Sequence, residues 1–140
     1  MTNKVFLIQS EGLGRGDEQL GSMLMSNFFR LLGENEDKPG SIIFWNTGVR
    51  LVCEGSPVLE RLKRLEEQGV ELLACTTCLE YFELTDKLAL GKPTNMMKSI
   101  QAMLSSDMVS LYSAAENFSP SSWVTSLTAL PTRRQDQWPE

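Results

Sequence analysis

Two cysteines three positions apart, in Cys75-Thr76-Thr77-Cys78, are the residues of this 140-residue chain best suited to chemistry. A thiolate is a strong nucleophile and a soft ligand, so such a pair is open to dithiol redox, persulfide transfer, metal binding or a purely structural use. The chain has no histidine. That removes the commonest general base, the Ser-His-Asp and Cys-His nucleophile pairs, and most catalytic zinc sites. A zinc site needs about four ligands, and only Cys53 remains as a third thiol. One chain could not readily build such a site, so no metal and no cofactor is expected. Cys53, ahead of Glu54-Gly55, reads as a small apolar filler.

By its spacing, Cys75 falls near the N-cap of a short helix and Cys78 in its first turn. Unpaired N–H groups and the helix dipole at that point are expected to lower a thiol pKa. Cys75 is then the exposed nucleophile, and Cys78 tucks towards the helix as the resolving partner. Persulfide transfer needs one activated thiol and a second to release the sulfur, which the pair supplies. A thioredoxin-like arrangement fits less well. That motif follows an early strand, whereas two strand–helix units precede this one, and Pro93 is expected to lead into a helix rather than face the pair. The plain alternative is two ordinary half-buried cysteines.

The elements that must position the pair read as strand, loop, helix, repeated. Val5–Ile8 and Ile42–Trp45 are continuous apolar runs, the pattern of strands buried on both faces; Val70–Ala74 is the third strand and ends at the motif. Asp17 is expected to cap a first helix carrying Leu20, Leu24, Phe28, Leu31 and Leu32, with Gly33 as its stop. Ser56-Pro57 should open a second helix with Val58, Leu59, Leu62 and Leu65 inward and a solvated charged face from Glu60 to Glu67. A short helix is expected over about Cys78–Glu83, then an irregular stretch through Gly91. A helix capped by Thr94 runs from Asn95 to about Leu104, and a last strand covers Met108–Leu111. This alternation predicts an α/β fold, a three-layer sandwich with a mostly parallel central sheet and helices on both faces. Composition changes after Tyr112, dividing the chain into a domain over residues 1–112 and an irregular tail over 113–140.

Parallel sheets carry their functional loops at the carboxyl ends of the strands. Three loops stand there: Glu11–Gly16, Asn46–Arg50 and Cys75–Cys78. The candidate binding residues are Gly14, Arg15 and Gly16 in the first, Asn46, Gly48 and Arg50 in the second, and the backbone of Thr76 and Thr77 in the third. Gly12-x-Gly14-x-Gly16 does not match the dinucleotide fingerprint, since Asp17 stands at the third glycine position, and it lacks the lysine and hydroxyl of a P-loop. The glycines are turn formers, with Arg15 as an anion contact.

A net charge of −5 repels phosphate backbones and anionic lipid, so nucleic acid and membranes are not expected partners. The apolar runs are too short to span a bilayer. Met1 leads almost directly into a strand without signal-peptide architecture, and the odd number of cysteines argues against a disulfide framework; a cytoplasmic protein is expected.

Gly14-Arg15-Gly16-Asp17 with Leu20-Gly21, Asn46-Thr47-Gly48-Val49-Arg50-Leu51, Glu54-Gly55-Ser56-Pro57-Val58-Leu59, Cys75-Thr76-Thr77-Cys78-Leu79 and Thr94-Asn95-Met96 occur in that order. In this the stretch from about Lys4 to Leu111 resembles the DsrE/DsrF-like domain found at the C-terminus of YedF-type, selenium-metabolism-associated sulfurtransferase-like proteins. The resemblance implies a homo-oligomer, a trimer or a hexamer, and a carrier of sulfur as a cysteine persulfide in a relay between donor and acceptor proteins. The strand-end cysteine of relatives of the TusD and DsrE type matches Cys75. The sequence departs from the two-domain YedF pattern, having no room for a TusA-like N-terminal domain with its own carrier cysteine. The expected function is therefore a sulfur or selenium carrier using Cys75 and Cys78. Its rivals are a non-catalytic oligomeric interaction module and a dithiol redox switch.

Overall fold

A computed structural model describes residues 2–111; the tail expected over 113–140 lies outside the described residues. Five strands form one sheet: β1 (Lys4–Ile8), β2 (Ser41–Phe44), β3 (Glu71–Cys75), β4 (Lys92–Thr94) and β5 (Asp107–Ser110). They lie in the order β4-β3-β2-β1-β5, and every pairing is parallel. The helices are α1 (Glu18–Glu34), α2 (Leu59–Glu67), α3 (Thr76–Tyr81) and α4 (Met96–Ser105), with a 3-10 helix at Asn46–Val52. The α/β class and the parallel central sheet are as the sequence predicts.

Alternation along the strands divides the core in two. Ile8, Ile42, Phe44, Leu72 and Ala74 pack with Met25 and Phe29 of α1 and Leu62 and Leu65 of α2. Val5, Leu7 and Ile43 form a smaller cluster on the opposite face, closed by Ala102 of α4 and Met108. The sheet thus carries helices on both faces. Asp17 caps α1, its side chain accepting from the Leu20 N–H at 2.8 Å.

Several local expectations are corrected. The face α1 buries is Gly21, Met25, Phe29 and Gly33, whereas Leu20, Leu24 and Leu31 are 52%, 43% and 54% exposed. The glycines allow this: the Leu13 N–H donates to the Gly21 carbonyl at 3.0 Å, an approach that larger residues at Gly12 and Gly21 would crowd. α1 also continues past Gly33 to a cap at Asn35. α2 begins at Leu59 rather than at Pro57, because Ser56 uses its hydroxyl to accept from the Val58 N–H in a tight turn. The stretch before Gly91 runs on into β4, so Pro93 lies in a strand and opens no helix; an edge strand tolerates its missing N–H. Asn95, not Thr94, caps α4, and Thr94 is buried as the last residue of β4.

Candidate functional site

Because β1, β2 and β3 are neighbours, the loops that leave their carboxyl ends meet. Gly48 is the point of closest approach: a Cβ there would stand 2.6 Å from the Ile8 carbonyl oxygen, so only glycine lets the second loop lie against the end of β1. Arg50 fastens the assembly from outside. Its guanidinium pairs with Glu11 at 3.5 Å and lies 4.7 Å from the centre of the Phe82 ring, joining the loops after β1 and β2 to the end of α3.

The second loop also reaches the cysteines. Asn46 has a left-handed backbone, φ 53°, which costs a non-glycine residue energy but is best tolerated by asparagine. Its own Oδ1 accepts from the Thr47 N–H at 2.8 Å and steadies the turn. The turn aims the Asn46 N–H at Cys78 Sγ, 3.0 Å away. Cys75, the N-cap of α3, and Cys78, on its first turn, are neighbours at the end of β3. No disulfide joins them.

The exposures expected of the two thiols are reversed. Cys75 ends β3 as the N-cap of α3 and is only 4% exposed, closed in by the large core cluster. Cys78, on the first turn of α3, is half-buried and is the one that solvent reaches. Burial pushes the Cys78 thiol above its ordinary pKa; the Asn46 N–H offsets part of that, and the neighbouring Cys75 adds to it. The expected lowering at the helix start does not appear at Cys78, because α3 has only six residues and desolvation is the larger effect. Cys53 is buried and bonds its thiol to the Val49 carbonyl, the filler role expected of it.

Between the loop after β1, the start of α1 and Thr47, the residues Ser10, Glu11, Gly12, Gly16, Glu18, Gly21, Ser22 and Thr47 line a cavity of about 470 Å³. Neither cysteine lines it. Two carboxylates at its wall disfavour a phosphate or other anion. Gly14 and Gly16 take positive φ, as turn formers do, and Arg15 is exposed between them. Thr76 uses its hydroxyl to donate to the Thr94 carbonyl at 2.6 Å, tying α3 to β4, while Thr77 is exposed next to Cys78. The structure thus brings Asn46 to Cys78 beside Cys75, sets Gly48 against the end of β1 and Arg50 against Glu11 and Phe82, and leaves Gly16 and Thr47 to the cavity. Glu11, Ser22 and Phe82 were not foreseen; nothing in their local pattern separates them from ordinary surface or packing residues. Among the described residues no cluster of three or more metal-ligating side chains occurs, and no helix is long and apolar enough to cross a membrane.

Comparison with known proteins gives the fold a family. The YchN protein of E. coli superposes with a TM-score of 0.60 at 19% identity, over 81% of this chain and 99% of that one. A protein of unknown function from Methanobacterium thermoautotrophicum gives 0.56 at 20% identity, over 76% and 96% of the two chains. A conserved protein of unknown function from Bacteroides thetaiotaomicron gives 0.54 at 16%, over 77% and 94%. At these identities the likeness is one of fold. No curated protein matches the sequence. The DsrE/DsrF-like family model, however, matches residues 3–111, from the strand before the glycine loop to the end of β5. This chain, with its parallel sheet and its thiol pair at the end of β3, belongs to the DsrE/DsrF-like family.

Proposed function

We propose that this protein carries sulfur as a cysteine persulfide on the Cys75–Cys78 pair, passing it between a donor and an acceptor protein inside the cell. The observation that carries the reading is the placement of two free thiols at the carboxyl end of β3, one capping α3 and the more accessible one on its first turn facing a backbone N–H. A sulfur carrier needs an accessible thiol, a donor hydrogen bond to hold the resulting anion, and a neighbour able to release the cargo. Family membership supports the same reading, and the sequence resemblance favours the YedF-type branch, in which sulfur or selenium is the cargo. The exposed apolar side chains of α1 and α4, including Leu20, Leu24, Leu31, Met97 and Leu104, support assembly into a homo-oligomer.

The test is chemical. After incubation with a cysteine desulfurase and cysteine, the desalted wild-type protein should release thiocyanate when treated with cold cyanide, which removes sulfane sulfur. The Cys75→Ala, Cys78→Ala double variant should release none. Failure of the wild type under conditions that load a known carrier rejects the reading. A double variant that still supports the pathway would favour the non-catalytic interaction module instead.

A further inference from the structure

The two thiols differ in the one property that decides which of them a donor meets first. Cys75 is sealed in the core at 4% exposure, while Cys78 is half-buried, beside exposed Thr77 and Asn46. Cys75 caps α3 and Cys78 lies on its first turn, so the two thiols are neighbours in the fold. Attack on a persulfide requires the nucleophilic sulfur to approach the sulfur–sulfur bond of a donor bound to a protein or a small thiol. A thiol closed in by the core cannot make that approach.

We propose that Cys78, not Cys75, takes sulfur from the donor, and that Cys75 is a resolving thiol that discharges an unclaimed Cys78 persulfide as hydrogen sulfide. The inference rests on the persulfide reading above and assigns the order of events within it. In the first step the Cys78 thiol loses its proton to solvent and its sulfur attacks the terminal sulfur of the donor persulfide. The donor's S–S bond breaks, the donor leaves as a thiol, and Cys78 holds the persulfide. The exchange conserves oxidation level and needs no further reagent. The Asn46 N–H, already 3.0 Å from Cys78 Sγ, donates to the sulfur that bears the new bond and fixes its direction. An acceptor thiol entering from solvent can then remove the terminal sulfur.

If none arrives, Cys75, at the cap of the helix whose first turn carries Cys78, is the neighbouring thiol within the protein. Its thiolate attacks Cys78 Sγ, the terminal sulfur departs as hydrogen sulfide, and a Cys75–Cys78 disulfide forms. Both electrons of the broken S–S bond leave with the sulfide, and the two cysteines are left oxidised. A cellular dithiol must then reduce the disulfide to reset the pair. Burial makes Cys75 a poor partner for proteins and a well-placed partner for Cys78. The pair therefore acts as a carrier with a built-in discharge.

The experiment uses the full chain and the persulfide of a small thiol as donor, followed by peptide mass spectrometry and a hydrogen sulfide electrode. In the wild type, sulfur should appear first on Cys78, with hydrogen sulfide and the disulfide following. Cys78→Ser should load at least about tenfold more slowly, and in Cys75→Ser the Cys78 persulfide should outlive the wild-type one by about tenfold while sulfide release disappears. A second measurement needs no variant: limited alkylation of the wild type with iodoacetamide should label Cys78 before Cys75. Loading of Cys78→Ser at the wild-type rate, or alkylation of Cys75 first, overturns the inference and leaves the persulfide reading standing. Absence of sulfur gain on the wild type overturns both.

Discussion

Alanine at Gly48 should destabilise the protein and disturb the thiol pair together, and alanine at Gly33 should do neither. Gly48 lies in the 3-10 helix at Asn46–Val52 with ordinary backbone angles, so on propensity alone the substitution would help by about 0.4–1 kcal/mol. The space decides otherwise. The new Cβ would stand 2.6 Å from the Ile8 carbonyl oxygen and 3.2 Å from the Ser10 nitrogen, both backbone atoms of β1 and its loop. Relief requires the two loops to part by several tenths of an ångström, an overpacking cost of about 1–3 kcal/mol. The expected net loss is about 1–2 kcal/mol, or about 0.5–1 M in the urea midpoint at a typical slope. At Gly33 the added Cβ meets only the flexible Arg64 side chain, at 3.5 Å, inside α1, so a gain of up to about 1 kcal/mol is expected there. Because Asn46 is two residues from Gly48 and donates to Cys78, Gly48→Ala should also change the rate of Cys78 alkylation. Urea titration of both variants, followed by tryptophan fluorescence, reads the stabilities. A Gly48→Ala protein as stable as wild type, with unaltered Cys78 reactivity, would refute the claim that this contact sets the site.

Asn46→Ala should cost about 1–2 kcal/mol, since the left-handed turn loses both its tolerant residue and the acceptor for the Thr47 N–H; Asn46→Gly should recover much of it, read by the same titration. Asp17→Ala removes the cap of α1 and should cost about 1 kcal/mol in thermal or urea unfolding. The Cys53 and Cys78 thiols are both pushed up by burial, so the folded protein holds their protons more tightly than the unfolded chain. Their contribution is complete below the unfolded cysteine pKa of about 8.5 and is lost as pH rises through the folded values. The urea midpoint should therefore fall on the alkaline side, and less so in Cys78→Ser. Alkylation of Cys78 should likewise rise with pH later than that of a free thiol, a profile followed by mass spectrometry.

β1, β2 and β3 were legible because each is a short apolar run that can only be buried, and burial on both faces implied parallel pairing; β5, a mostly exposed edge strand, was legible only from its Met108-Val109 pair. β4 was not legible: Lys92–Thr94 is three residues long, contains a proline and owes its place to the edge of the sheet rather than to any pattern of its own. The leucines at positions 20, 24 and 31 do share a face of α1, but the face that packs holds Met25 and Phe29 with Gly21, a residue that carries no hydrophobic signal and acts by letting the Leu13 backbone approach. The meeting of the three loops followed from strand adjacency. The placement of the two cysteines at the start of one helix followed from their spacing. Which sulfur faces solvent did not, because it depends on Cys75 still belonging to the strand and on the second loop folding over to put Asn46 against Cys78. Spacing along a chain specifies proximity within a turn and leaves open what the rest of the fold stacks above it.

The central claim is that the thiol pair is a persulfide carrier, and mapping the added sulfur tests it most directly. Wild-type protein loaded by a cysteine desulfurase and cysteine is digested under non-reducing, acidic conditions, and the peptide spanning both cysteines is fragmented by mass spectrometry. The account predicts one additional sulfur atom on that peptide, none on the peptide carrying Cys53, and its loss after brief treatment with a reducing dithiol. A fully folded protein whose Cys75–Cys78 peptide never gains sulfur, while a known carrier in the same mixture does, would contradict it.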